Sequence, residues 1–264
     1  MPELPEVERA RSLIAERALG RRIVAVDDSD TYVCRPHAPV EIATALTGRA
    51  LVEAKRIGKS MWVTTDDDGP DLGLHLGMAG QIVVDDAFAG DPAPYVGGPA
   101  RHPVWDRFTL EFEDGGRLTL RDKRRLGRVR LDPDLTALGP DAAEISRDAF
   151  RARVGRGDAP LKARIMDQSV LAGVGNLLAD EALWRAGLSP VRPAGSLSEE
   201  ELDELRKQIR AANRDAIKKG GVHTGKLIPA RVRGGVCPQC GAELRRETVG
   251  GRTTYWCPAE QPDV

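Results

Sequence analysis

Phe108-Thr109-Leu110-Glu111-Phe112-Glu113-Asp114-Gly115-Gly116-Arg117-Leu118-Thr119-Leu120 is the stretch whose reading decides the fold class. Phe108, Leu110 and Phe112 alternate with polar residues, Asp114-Gly115-Gly116 carries turn chemistry, and Leu118 and Leu120 resume the alternation. A period of two on both sides of a glycine turn predicts an antiparallel hairpin. Upstream, β-type runs at 23–26, 50–57, 60–64, 72–76 and 81–84 enlarge the hairpin into a β domain. Val7, Ala10, Ile14 and Ala18 recur at helical spacing before Gly20, so a helix leads that domain. The Gly-, Pro- and Ala-rich stretch 85–103 predicts a long loop. From Leu138 onward the periodicity becomes helical, clearest at 165–184, which glycines interrupt, and at 198–219. The latter opens with Ser198-Glu199-Glu200-Glu201, a capping-box pattern. A third unit starts near Lys226 and carries three of the four cysteines. The expected class is α+β: an antiparallel β domain over 1–133, a helical domain over 134–225 and a small metal-bound hairpin over 226–264.

With 264 residues, 41% hydrophobic and 30% charged, the chain can bury a sizeable core without disulfides. No apolar run approaches the roughly 18 residues of a membrane span. The opening Met1-Pro2-Glu3-Leu4-Pro5-Glu6 is acidic and proline-broken, unlike a signal or transit peptide. The Cys237-Pro238-Gln239-Cys240 pair suits metal ligation in a reducing compartment. A soluble cytoplasmic protein is expected. Thirty-nine Lys and Arg against forty Asp and Glu give a net charge of −1, which taken alone points away from nucleic acid. Position reverses that inference. Residues 61–99 hold seven aspartates and no Lys or Arg, 121–130 hold six positive residues and one negative, and 206–252 hold twelve against three. Because salt screens exposed charges beyond about 8 Å, local fields decide what such a surface attracts.

Four motifs carry chemistry. Loss of Met1 before a small residue leaves Pro2 with a free secondary amine, and an α-amine with a reference pKa near 8 is partly neutral and nucleophilic at pH 7. Glu3 stands beside it as a proton donor or acceptor; the bland alternative is a solvated chain end. Gly173-Val174-Gly175-Asn176 places glycines before a helix start, where amides face an anion such as phosphate, or simply make a tight turn. Cys237-x2-Cys240-x16-Cys257-x2-Glu260 has zinc-ribbon spacing with a carboxylate in the fourth position. Glu260 completes the site, another group or water does, or no metal is held; Cys34 lies far off in sequence and reads as a core or surface residue. Asp122-Lys123-Arg124-Arg125-Leu126-Gly127 puts arginines beside an apolar wedge at a loop tip, suited to phosphates and a base stack, or to a solvated hairpin end.

Together these motifs resemble the formamidopyrimidine-DNA glycosylase/endonuclease VIII family. The first eight residues resemble the formamidopyrimidine branch's N-terminal signature, Gly58-Lys59 its loop lysine, and Leu76-Gly77-Met78-Ala79-Gly80 its methionine loop. Residues 122–127 resemble its intercalation loop. Pro160-Leu161-Lys162, Met166-Asp167-Gln168 and 172–176 resemble its helix–two-turn–helix region, and Gly250-Gly251-Arg252 the tip of its zinc hairpin. The resemblance implies an N-terminal β-sandwich, a helix–two-turn–helix domain and a zinc-finger-like hairpin. It implies a bifunctional DNA glycosylase and AP lyase acting on oxidised or ring-opened bases, as a monomer on damaged double-stranded DNA at the bacterial nucleoid. Catalytic roles then fall on Pro2, Glu3, Lys59 and Arg252, with Glu6 supporting the first helix, and DNA contacts on Met78, Arg124, Leu126, Lys162 and Asn176. Structural zinc falls on Cys237, Cys240, Cys257 and Glu260. The alternative is a damaged-DNA-binding paralogue without catalysis. The chain departs from the family pattern at Trp105, where a DNA-contacting histidine is expected, and at Leu126, in place of phenylalanine. It departs again in a shortened segment 221–237, whose longer counterpart caps 8-oxoguanine, and at Glu260.

Overall fold

The computed structural model describes residues 2–90 and 103–263. The chain divides into two compact units, Met1–Pro2 with Glu6–Thr136, and Glu3–Pro5 with Ala137–Val264.

In the first unit, helix α1 (Leu4–Arg17, its first two residues belonging to the second unit) precedes β1 (Ile23–Asp27) and the short α2 (Glu41–Leu46). Strands β2 (Leu51–Ile57), β3 (Ser60–Thr65), β4 (Leu72–His75), β5 (Gln81–Val84) and β6 (Ala87–Gly90) follow, then β7 (Asp106–Phe112), β8 (Arg117–Arg121) and β9 (Arg128–Leu131). They form a five-stranded sheet, β1-β7-β8-β5-β6, and a four-stranded sheet, β2-β3-β4-β9, antiparallel throughout. The deciding hairpin is β7–β8, with Leu110 opposite Leu118. Phe108, Leu110 and Phe112 all turn inward, as the alternation requires. Their cluster joins Ile82 and Leu120 of one sheet to Met61, Val63, Leu74 and Val129 of the other, and to Val7, Ala10 and Ile14 of α1, so the unit is a sandwich with one core. Each buried large apolar side chain contributes about 1.5–3 kcal/mol.

The loop expected over 85–103 is corrected at its start. Residues 87–90 pair with β5 as strand β6 across an Asp85-Asp86 turn in which Asp85 has φ +54°. Small alanines hid that strand; the rest of the stretch, 91–102, lies outside the described residues.

The second unit is helical, with α3 (Arg147–Val154), α4 (Leu161–Met166), α5 (Asn176–Ala186) and α6 (Glu199–Lys219) around Phe150, Ile165, Leu178, Leu183, Leu205 and Ile209. The single interrupted helix expected over 165–184 is two helices separated by turns. Gln168 staples those turns, donating from Nε2 to the Met166 and Val174 carbonyl oxygens at 2.7 and 2.9 Å and accepting from the Gly173 amide at 3.0 Å. The capping box forms at Ser198 and Glu201, and Gly220 ends α6 with φ +107°. Strands β10 (Arg245–Val249) and β11 (Arg252–Trp256) pair around Gly250-Gly251, whose φ values of +56° and +73° suit a two-residue hairpin turn. Trp184 of α5 packs with Leu227, Leu244 and Tyr255 beneath the hairpin. Among the described residues no helix is long and apolar enough to cross a membrane.

Candidate active site and nucleic-acid interface

In the first unit Pro2 is buried immediately ahead of α1, and Lys59 occupies the two-residue turn joining β2 to β3. Gly58 precedes it with φ +58°, a geometry that glycine supplies at the first turn position. Glu6 is buried in the first turn of α1. Asp122 is the organiser of the wedge loop. Fully buried, it accepts from the Arg124 amide at 2.9 Å through Oδ1, and from the Leu126 and Gly127 amides at 2.7 Å each through Oδ2. Those bonds leave Arg124 exposed and Leu126 half-buried. Met78, 40% exposed, belongs to the neighbouring turn. A Cβ on Gly77 would stand 2.4 Å from the Leu126 carbonyl carbon, so the two loops abut only because residue 77 is glycine. Met78, Arg124 and Leu126 therefore share one corner of the unit. Trp105 accepts the Asp122 amide on its carbonyl at 2.8 Å, and its ring lies 5.1 Å beneath Lys123 Nζ, a packing role at the loop's base. His75, which sequence reasoning did not single out, pairs with Ser60 and Arg128 across the sheet and accepts the Gly77 amide on Nδ1 at 3.0 Å. Although the residue is exposed overall, its packed side, then the charges of Lys59, Arg128 and Arg130, hold its pKa below the usual histidine range.

The second unit answers what the Gly173–Asn176 motif cradles. The Leu177 and Leu178 amides at the start of α5 donate to Glu3 Oε1 and Oε2 at 2.9 and 3.0 Å. The anion at this helix end is thus a carboxylate of the chain itself, matched to the positive end of the helix. A Cβ on Gly175 would lie 2.2 Å from Glu3 Cδ, which explains that glycine. Asn176, half-buried, accepts from Lys162 Nζ on Oδ1 at 2.6 Å. Lys162 itself departs from the phosphate contact expected of it. Its side chain is fully buried, with Nζ 2.7 Å from Asp180 Oδ1 and 2.7 Å from Thr254 Oγ1. Burial lowers its pKa, and the adjacent Asp180 opposes that shift. Asp180 also accepts from Arg231 Nε at 2.8 Å and from the Tyr255 amide at 3.1 Å, joining α4, α5 and β11 into one polar spine. The Lys162 partners Asp180 and Thr254 are distant in sequence, so the sequence alone does not show this burial. Arg252 is exposed beside the hairpin tip.

The Sγ atoms of Cys237, Cys240 and Cys257 lie within 4.8 Å of one another, with Cys240 and Cys257 3.5 Å apart. Sulfurs at about 2.3 Å from zinc have this mutual spacing, so three corners of a tetrahedral site fit. Burial opposes ionisation of Cys237, but the Cys240 and Gln239 amides and the Trp184 indole outweigh it and bring the thiol to about 7, suited to a thiolate ligand. The Glu260 carboxylate accepts from Gln239 Nε2 at 2.9 Å and interacts with the Cys240 thiol, whose ionisation it opposes.

Three family models match consecutive parts of the chain: the formamidopyrimidine-DNA glycosylase N-terminal domain over residues 1–129, the formamidopyrimidine-DNA glycosylase H2TH domain over 137–226, and a zinc finger found in FPG and IleRS over 234–259. The chain is 33% identical over 281 residues to a formamidopyrimidine-DNA glycosylase of Chloroflexus aggregans, covering 98% of each. It is 35% identical over 289 residues to one of a Nocardioides species, covering 99% of this chain and 95% of that one. Among solved structures it resembles Lactococcus lactis Fpg (MutM) in complex with a FAPY-dG-containing DNA, with a TM-score of 0.82 and 28% identity over 99% of this chain and 100% of the other.

Proposed function

The chain belongs to the formamidopyrimidine-DNA glycosylase family, and from that premise we infer its function: it is a base-excision-repair DNA glycosylase with an associated AP lyase activity. Its substrate is damaged double-stranded DNA carrying oxidised or ring-opened bases, on which it works as a monomer at the bacterial nucleoid. A stacked base shields its own sugar, so the damaged nucleotide is flipped out first. The Pro2 amine attacks C1′, the glycosidic bond breaks with its electron pair going to the base, and Glu3 protonates the sugar ring oxygen. The Pro2 nitrogen gives up its proton and the ring opens to an imine-type cation, an iminium, between Pro2 and C1′. That imine acidifies the C2′ proton, whose loss expels the 3′ phosphate and cuts the strand. Lys59 contacts phosphate beside the sugar, and Arg252 grips phosphate and serves the second elimination. Met78, Arg124 and Leu126 fill the vacated stack, Asn176 binds phosphate, and Lys162 acts through Asn176 as a positioning residue.

The observation that carries this reading is the Glu3 carboxylate, oriented by two α5 amides and adjacent in the chain to Pro2. Borohydride reduction during reaction with abasic-site DNA tests it. A covalent protein–DNA adduct is expected, and it disappears when the Pro2 amine is acetylated or Met1 is retained. An adduct that survives either block rules out Pro2 as the nucleophile.

Cys237, Cys240 and Cys257, with Glu260 as the fourth ligand, would hold a structural zinc ion, which would supply folding energy to the hairpin.

A further inference from the structure

Tyr32 is 46% exposed in the first unit and is surrounded by three guanidinium groups, Arg35, Arg128 and Arg125, at 3.9, 4.9 and 5.6 Å from its ring centre. The three differ in how their charge is met. Arg125 makes a two-pronged ion pair with Asp30, at 2.8 and 2.9 Å. Arg35 and Arg128 have no carboxylate partner among the described residues. Arg35 donates from Nη1 to the Tyr32 carbonyl oxygen at 2.6 Å, and Arg128 from Nη1 to the Gly127 and Arg125 carbonyl oxygens. Each spends Nη1 on main-chain carbonyls and also bonds the Tyr32 hydroxyl, and the rest of its five-donor planar fork faces no carboxylate among the described residues. Two uncompensated guanidiniums around one aromatic ring are pre-aimed at an anion, and their fork matches phosphate oxygens.

The position of the patch says which anion. Arg125 and Gly127, whose carbonyls hold Arg128, belong to the wedge loop built on Asp122, and the Val129 amide donates to the Val33 carbonyl at 3.1 Å. The 30–35 loop and the wedge loop are thus one surface. Arg128 stands two residues from Leu126 on that surface, where the backbone of a strand presenting a base step to Leu126 would come within its reach.

We propose that Arg35 and Arg128, spaced by the Tyr32 ring, form a second phosphodiester clamp that holds the DNA backbone beside the wedge loop. The inference rests on the glycosylase reading and adds to it a site on residues outside the lesion-facing motifs. The tyrosine orders both guanidiniums, through the ring they stack over and through the hydroxyl they hydrogen-bond.

The test is binding of a duplex carrying a tetrahydrofuran abasic analogue, followed by fluorescence anisotropy across a salt series. Arg35→Ala and Arg128→Ala should each reduce the slope of log affinity against log salt by about one. Arg35→Lys should keep the slope, and Tyr32→Leu should weaken binding as the arginine variants do. Slopes equal to the parent's for both alanine variants overturn the clamp, and Tyr32→Leu binding as tightly as the parent overturns the tyrosine's part in it. Borohydride trapping of the same proteins on abasic-site DNA reads Pro2 separately. Intact trapping with unchanged slopes rejects the clamp alone, whereas a parent protein that neither binds nor traps rejects the glycosylase reading and the clamp with it.

Discussion

Gly175 shows how one missing methyl group sets the candidate site. Its φ of −116° is open to any residue, so the constraint is space and not backbone strain. The Glu3 carboxyl carbon occupies the place a side chain would take. Gly175→Ala is expected to push Glu3 off the Leu177 and Leu178 amides, at an overpacking cost of about 1–3 kcal/mol. Displacing a reacting group by about 1 Å can lower a rate on the order of 100-fold. Single-turnover assays should show base release falling much further than cleavage of a pre-formed abasic site, since an abasic site has no base to expel. An equal fall in both would detach Glu3 from base expulsion. The sequence displayed this cradle, glycines before a helix start, but not its occupant, because Glu3 lies more than 170 positions away and no local pattern links them. At Lys162 the local sequence is equally silent about the partner. Only the family resemblance points to Lys162, as a phosphate contact, and only the folded spine with Asp180 and Thr254 shows its ammonium to be buried.

Elements were legible where periodicity is strong and hidden where one contact substitutes for it. The β7–β8 alternation and the Ser198 capping box each appear in the structure as expected. The turns between α4 and α5 depend on a single side chain, Gln168, whose bonds to three backbone groups have no signature in composition. Cysteine spacing revealed the hairpin and its three thiols, while the fourth ligand stayed open because a carboxylate beside a knuckle is equally a surface group. Metal removal tests that element. One zinc per chain is expected, and chelation should raise amide exchange across 237–260, where folding and ligation are coupled, while the β-sandwich amides keep their protection. Glu260→Gln should weaken zinc retention in competition with a chelator. Retention equal to the parent's would exclude the Glu260 carboxylate as fourth ligand.

Across the whole molecule, the net charge of −1 conceals a division of labour among arginines. Within 121–130, Arg121 is buried against Asp106 and Arg125 is held by Asp30, whereas Lys123, Arg124, Arg128 and Arg130 have no carboxylate partner among the described residues. A count of basic residues therefore overstates the cation available to DNA, and ion pairing decides which charges are structural. Those structural pairs set the acid limit of the fold. Arg192 beside Glu201, Arg151 beside Asp203 and Arg185 beside Asp215 hold these carboxyls below their ordinary values of 4.5, 3.8 and 3.8. At Glu8 burial works the other way, but Arg11 and Arg56 outweigh it. A carboxyl whose pKa is lower in the folded state binds fewer protons there than in the unfolded chain. Its stabilisation is complete above the unfolded value and is lost as pH falls through the folded one. The urea midpoint should accordingly change little through these groups between pH 7 and about 5 and decline below about 4.5. Arg151→Gln should flatten the lower part of that decline by releasing Asp203, and an acid profile identical to the parent's would show that the pair contributes nothing to the folded state's proton balance.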